Sequence, residues 1–500
     1  MGYSCCGSSC FDLADNENNC GFCGNACPEL PGGSGLCLNG QCTLGTCKPG
    51  FADCNLKSAD GCEWNLLQDG PCSCVPNQKQ SCYQGATGTQ GIGACKAGTQ
   101  TCKADGSGWG ACTSQVLPKP EICGNNIDDD CNGIVDDDVD ADGDGWTSCG
   151  GDCCDSYSPL CKNPKLSNPG GYEYPNDGED NDCDPLTPDV PVPCSTSVKL
   201  TGVTGIDIAK AMDLCVFTTP NPPGGKPQWG VISAEQFLSD GSTPTAAQLT
   251  TIQDKQSAIL DGYGSSIVPN VGPTFAALST GVMRDQNDPG YAGTSTDLGV
   301  SSAPPAAYLL ANGGKLPSTP NCLGTACPVG SGAKDPVLVR LKIRTPANAA
   351  SFTYDFRFFS SEYWTFQCTT FNDFFLALYQ STWKPDPLAN PPQKPLPFDK
   401  NVAIDSTLAP ISVNNGFFDV CAPKECNPCP AGFADLAGTG MQLMNTGGGT
   451  KWLQNDVPIV PGETITLDLT LFDVQDPNLD SLVLLDNFRW NGNVLQGLHE

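Results

Sequence analysis

Twenty-four of the 32 cysteines in this 500-residue chain fall between Cys5 and Cys183, and the remaining eight follow from Cys194 onward. Thiols at that density stay unpaired only in a reducing cytosol, so the expected home is an oxidising compartment and the expected state is disulfide. Both counts are even when the boundary is drawn between Cys183 and Cys194, as two separately cross-linked regions would give, although parity does not supply connectivity. Residues 1–115 are rich in Gly and Cys and poor in aliphatics. Such a stretch buries too little apolar surface to offset chain entropy, so disulfides worth about 2–4 kcal/mol each must replace a core. Two Cys-rich modules of loops and short hairpins are expected, over 1–66 and 67–118.

A net charge of −30 is the wrong sign for binding nucleic acid or anionic lipid. No apolar run approaches the roughly 20 residues of a transmembrane helix. The opening MGYSCCGSSC lacks the basic start and apolar stretch of a signal peptide. The expectation is therefore that Met1 is not the natural start of the precursor and that the protein is extracellular or on a cell surface. No Asn-x-Ser/Thr sequon occurs, which weighs toward a bacterial rather than a eukaryotic secreted protein.

Residues 119–188 form an acidic segment; between 119 and 185 lie eighteen acidic side chains and three lysines. Its centre, DVDADGDG, alternates Asp138, Asp140, Asp142 and Asp144 and ends in Gly145. Calcium takes six to eight oxygens, and alternate short carboxylates on a tightly turned loop converge on one ion. Counted from Asp140, aspartates stand at positions 1, 3 and 5 and Gly at 6, as in an EF-hand loop, but position 12 is Gly151 rather than Glu. Asp152 and Asp155 are expected to complete the shell. A merely solvated acidic loop has no need of strict alternation closed by glycine. Affinity on the order of 10⁻⁴–10⁻³ M is expected, as for extracellular modules.

Two related segments flank this loop, Cys123–Gly133 (CGNNIDDDCNG) and Asn176–Pro185 (NDGEDNDCDP). Aligned on Cys131 and Cys183, they share Asp128 with Asp180 and Asp130 with Asp182; Asp136 and Asp184 join the candidate ligands. The run EICGNNIDDDCNGIVDDD, DADGDGW and DGEDNDCD resembles the MopE-type metal-binding motif of bacterial surface proteins, which implies metal carriage. The donors are carboxylates and the only histidine is His499, so the chemistry favours calcium over copper. In the N-terminal block, NNCGFCGNAC and GFADCNLKSADGCE resemble Cys-rich repeats of myxobacterial-type secreted proteins. Cys20 with Cys23 and Cys426 with Cys429 have zinc half-site spacing, but their crowded surroundings favour disulfides.

After a Pro-rich linker over 189–194, residues 195–500 read as a mainly β domain. In Ser351–Phe359, Phe352, Tyr354, Phe356 and Phe358 share one face and Ser351, Thr353, Asp355 and Arg357 the other, which predicts a half-buried strand. Asp335–Arg344, Thr464–Leu471 and Leu482–Trp490 read as further strands. Short helices are expected over Ile206–Leu214 and Ala246–Leu260. Lys384–Phe398, with six prolines, must be an exposed insertion. The predicted fold is a jelly-roll-like β-sandwich with few short helices. LSTG (Leu278–Gly281), FRFFSSEYWTFQCTTFNDFFLALY (Phe356–Tyr379), NVAIDSTLAPISVNN (Asn401–Asn415), LAGTG (Leu436–Gly440) and PGETITLDLTLFDVQDPNLDSLVLLDNFRW (Pro461–Trp490) resemble the choice-of-anchor L domain of bacterial surface proteins, over nearly all of 195–492. That resemblance implies cell-surface location and no particular activity.

Within this domain Glu362, Asp373, Asp473, Asp476, Asp480 and Asp486 recur at loops and strand ends. Capping of turn backbones is the ordinary use of such residues. Asp473, Asp476 and Asp480 are the best candidates for a second, structural calcium, and Glu362 with Asp373 is the weaker reading of a glycosidase acid and nucleophile. Tyr363, Trp364, Trp383 and Trp452 are either core or a sugar-stacking platform. A single histidine beside the C-terminus supports no Ser-His-Asp or Cys-His site, and no phosphate-binding Gly-rich loop is present. The expected protein is non-catalytic: a secreted, calcium-binding adhesion or structural protein that meets an extracellular polymer, another surface protein or a second copy of itself. The alternatives are a carbohydrate-binding module or glycan hydrolase, and a self-assembling surface fibre subunit.

Overall fold

Cystine sulfur occupies the place of a core in the N-terminal third. The computed structural model describes residues 3–136, 140–222, 229–318, 326–405, 408–414, 417–423, 427–442 and 446–499, in two compact units, Met1–Val139 and Asp140–Glu500. The division falls inside the acidic segment. In the first unit the buried apolar residues are Cys20, Cys37, Cys54, Cys62, Cys95, Cys102 and Cys131, whereas Phe22, Leu56 and Leu67 are exposed. Short antiparallel hairpins pair Tyr3–Cys6 with Ser9–Asp12, Gly33–Leu38 with Gln41–Cys47, and Lys79–Cys82 with Gly98–Thr101. Bridges such as Cys20–Cys37, Cys27–Cys42 and Cys47–Cys62 close small loops around them. Cys54–Cys72 joins the two expected Cys-rich modules, and Cys95–Cys131 ties in the start of the acidic segment. Close packing around cystines leaves no space for side chains: at Gly32, with φ of +61°, a Cβ would lie 2.1 Å from the Cys62 carbonyl oxygen. No described cysteine is free.

The second unit is a β-sandwich whose main strands are β1 (Gly230–Phe237), β2 (Ser257–Leu260), β3 (Phe275–Ser279), β4 (Ala333–Arg344), β5 (Ser351–Ser360), β6 (Phe374–Gln380), β7 (Leu453–Pro458), β8 (Thr464–Asp473) and β9 (Ser481–Asn491). One sheet runs β2–β3–β9–β5–β7 and the other β1–β4–β8–β6, all antiparallel. From β4 to β9 every connection crosses from one sheet to the other. Alternate residues make the shared core: Val337, Val339, Leu341 and Ile343 of β4; Phe352, Tyr354, Phe356 and Phe358 of β5; Ile465, Leu467, Leu469 and Leu471 of β8. Each of these large apolar side chains contributes about 1.5–3 kcal/mol on burial.

Two expectations need correction. Ser351–Phe359 is buried along its whole length rather than on one face. A second apolar cluster that includes Tyr263, Phe275, Leu436, Met441 and Leu484 covers the outer face of its sheet and packs on Phe359. On that face Arg357 pairs with Asp435 at 3.0 Å and Asp355 accepts from Asn487 at 2.7 Å. The helix expected over Ala246–Leu260 ends early: α-helix spans Ala246–Thr251, a wide turn follows over Ile252–Gln256, and Ser257–Leu260 is β2. The four residues of β2 are all buried, so pairing with β3 overrides helical propensity there. The first helix forms over Gly205–Ala211 behind a Thr204–Asp207 capping box. A further helix over Ala306–Ala311, which the sequence reading passed over, sets Tyr308 against Phe374 and Phe472 on the outer face of the other sheet. The Pro-rich 384–398 stretch is largely exposed.

Residues 140–185 dock on the sandwich chiefly around the buried side chain of Asn348. Asn348 accepts from Tyr172 N at 2.8 Å and donates to the carbonyls of Leu166 at 2.7 Å and Tyr172 at 2.9 Å. Trp229 Nε1 donates to Gly171 O at 2.6 Å, and its ring meets Tyr172 and Trp490 edge-on. Asn348→Ala strands three part-buried backbone groups at up to about 1–3 kcal/mol each. Limited proteolysis of this variant is expected to cut within 156–185 several-fold faster than in the parent chain, with the sandwich strands still resistant.

Candidate metal centres

The Asp140–Asp155 loop is folded by its own carboxylates. Gly143 and Gly145 take left-handed φ of +79° and +95°, which bends the chain around Asp140. Asp140 Oδ1 accepts from Gly143 N at 2.6 Å and Asp144 N at 3.2 Å, and its Oδ2 accepts from Gly145 N at 3.0 Å. Asp155 Oδ1 accepts from Ala141 N at 2.7 Å, which closes the loop on itself. Oxygens of Asp140, Asp142 and Asp144 lie within 4.8 Å of one another, and so do those of Asp142, Asp152 and Asp155. Asp142 Oδ2 and Asp152 Oδ2 are buried without a hydrogen-bond partner. Burial first, and then the neighbouring aspartates, push the Asp142 and Asp144 carboxyls up and Asp152 up to about 6. Asp144 Oδ2 accepts from Asn168 Nδ2 at 2.8 Å, linking the loop to the segment held by Asn348. Asp138 lies outside the described residues.

The flanking segments use their acids differently. Asp128 is 3% exposed, and its two oxygens accept from Asn132 N at 3.2 Å and Gly133 N at 2.9 Å. Asp130 accepts from both nitrogens of Asn132, Asp136 from the backbone N–H groups of Asn125 and Asn126, Asp182 from Asp184 N, and Asp184 from Leu186 N. Burial and Asp182 raise the Asp180 carboxyl. Each segment is preceded by a glutamate that was not among the expected ligands. Ten residues before Cys131, Glu121 accepts from Asp130 N at 2.8 Å; ten before Cys183, Glu173 accepts from Asp182 N at 3.3 Å. Cys131 and Cys183 share positive φ, +64° and +55°. The equal spacing of the glutamates was there to be read in the sequence. Glu121, Asp128 and Asp130 also bring oxygens within 4.8 Å of one another.

The possible zinc half-sites are cystines: Cys20 pairs with Cys37, Cys23 with Cys6, and Cys429 with Cys421, so none offers a thiolate. Cys426 lies outside the described residues. In the sandwich, Asp473 ends β8 and Asp480 precedes β9, both buried, with half-buried Asp476 between them accepting from Asn478 N. Asp486 instead anchors backbone, accepting from Asn270 N at 2.6 Å and Asn487 N at 2.8 Å. Tyr363 stacks on Phe418 with ring centroids 4.1 Å apart and is buried, as core packing requires.

Residues 337–489, which run from β4 into β9, match the Choice-of-anchor L domain. The match is narrower than the 195–492 over which the resemblance was read, and it points to a surface or extracellular protein. None of the curated proteins and none of the solved structures compared with the chain matches it.

A loop ligand must be ionised to hold a cation, so affinity falls as the pH drops through the raised Asp152 value of about 6. Terbium luminescence titrations are expected to show tighter binding at pH 7.5 than at pH 5. Asp142→Asn or Asp152→Asn should weaken binding at least tenfold at pH 7.5.

Proposed function

We propose that this chain is a non-catalytic calcium-binding protein of the cell surface or extracellular space, structural or adhesive in role. The observation that carries the reading is the pair of buried, unpartnered oxygens on Asp142 and Asp152, inside a loop whose other aspartates crowd the same space. Oxygen-only donors of high charge suit calcium. The MopE-type resemblance of residues 120–185 supports metal carriage, and the Choice-of-anchor L match supports surface location. The disulfide-bonded cysteines suit an oxidising exterior. Bound calcium neutralises the loop and so stabilises the Asp144–Asn168 link, through which residues 140–185 stay seated on the sandwich. The partner is an extracellular polymer or another surface protein, including a second copy of this chain. Tyr363 is committed to the core, which removes one member of a sugar-stacking platform.

Limited proteolysis of the full chain with and without a calcium chelator tests the reading. Chelation is expected to expose cleavage sites within 140–185 while the sandwich persists; identical digestion patterns count against it.

A further inference from the structure

The two crossovers at one end of the sandwich bring acids together from separate parts of the sequence. The register pairs Ser360 of β5 with Ser481 of β9 and Phe374 of β6 with Phe472 of β8. Glu362, just beyond β5, and Asp373, just before β6, therefore stand at the same end as Asp473, the last residue of β8. All three are at most 3% exposed. Asp373 is held in place: its Oδ1 accepts from Val474 N at 3.1 Å and its Oδ2 from Ser481 Oγ at 2.7 Å. Both oxygens of Asp473 and Glu362 Oε2 are buried with no hydrogen-bond partner. Among the described residues, no lysine, arginine or histidine forms an ion pair with any of the three.

We infer that Glu362, Asp373 and Asp473 form a buried site for a hard divalent cation, calcium by its oxygen-only donors, separate from the Asp140–Asp155 loop. Asp473 presents two vacant oxygens and Glu362 one, and each Asp373 oxygen keeps a lone pair beyond its hydrogen bond. Burial first, and then mutual repulsion, push the Glu362 carboxyl up to about 11 and Asp473 well above its ordinary range, as expected where several carboxylates share an enclosure without a cation. Asp480, expected from the sequence beside Asp473 and Asp476, gives one oxygen to the backbone, Oδ1 accepting from Thr296 N at 3.0 Å, while its Oδ2 is buried without a partner. Its Oδ2 packs where a Cβ on Gly281 would stand. Asp476, half-buried on the crossover, lies near enough for its charge to raise the Glu362 carboxyl. The site locks together both crossovers, and hence both sheets.

This inference does not rest on the loop site. Thermal unfolding of the full chain, with and without millimolar calcium, would be compared for the parent, Asp473→Asn, Glu362→Gln and Asp142→Asn. Calcium is expected to raise the sandwich transition of the parent and of Asp142→Asn but not of Asp473→Asn, and at least tenfold more calcium should be needed for Glu362→Gln. Metal-free Asp473→Asn should unfold no lower than the metal-free parent, because burial and repulsion already hold the Asp473 carboxyl neutral without a cation and the neutral amide keeps its shape; a merely structural role would lower it. Equal calcium shifts in the parent and Asp473→Asn overturn the site. Should either carboxylate variant fail to fold, crystals of the parent chain soaked in terbium decide. An anomalous peak among the three carboxylates is expected, and its absence at millimolar terbium overturns the proposal.

Discussion

Repulsion between carboxylates held together away from water is the constraint on which this structure turns. The chain has 55 acidic residues against 25 lysines and arginines. The few basic groups that enter the sandwich are already committed, Arg340 to Asp468 at 2.7 Å and Arg357 to Asp435 at 3.0 Å. Neither the Asp140–Asp155 loop nor the Glu362–Asp373–Asp473 enclosure has such a partner among the described residues. Bringing like charges together in a low dielectric is costly, and a buried charge persists only when it is paired, coordinated or protonated. A divalent cation satisfies several carboxylates at once, which no single side chain of this sequence does.

Two kinds of scaffold hold these groups. In the first unit, cystines fill the interior and the carboxylates of Asp128 and Glu121 brace turns by accepting backbone N–H groups. In the second, the sheets bury continuous apolar faces, and charge collects where strands end and the chain crosses between layers. The Asp140–Asp155 loop belongs to this second unit, and Asn168 and Asn348 connect it to the strands. An ion in that loop, as proposed above, would therefore act on how the segment that follows it seats on the sandwich, without touching the apolar core.

Much of this was legible in the sequence because its signals are local. Period-two alternation marked β4, β5 and β8, the apolar run Leu482–Trp490 marked β9, and strict Asp alternation with glycine marked the loop, together with Asp152 and Asp155 farther along it. What escaped the sequence is long-range. The burial of Thr353 and Asp355 depends on a cover built from residues far along the chain. The conversion of Ser257–Leu260 to strand depends on β3. Glu362 and Asp373 were read as one pair and Asp473 as a member of another group, because only the crossing order of the strands sets them side by side. Several acids named from the sequence, Asp128 foremost, spend their oxygens on backbone N–H groups.

The account requires calcium to be an integral part of the folded second unit. Equilibrium dialysis of chelator-treated full chain against millimolar calcium at neutral pH, followed by elemental analysis, measures that directly. Retention of at least two ions per chain is the predicted result; a chain that emerges with its disulfides intact, its strands folded and no bound calcium contradicts it.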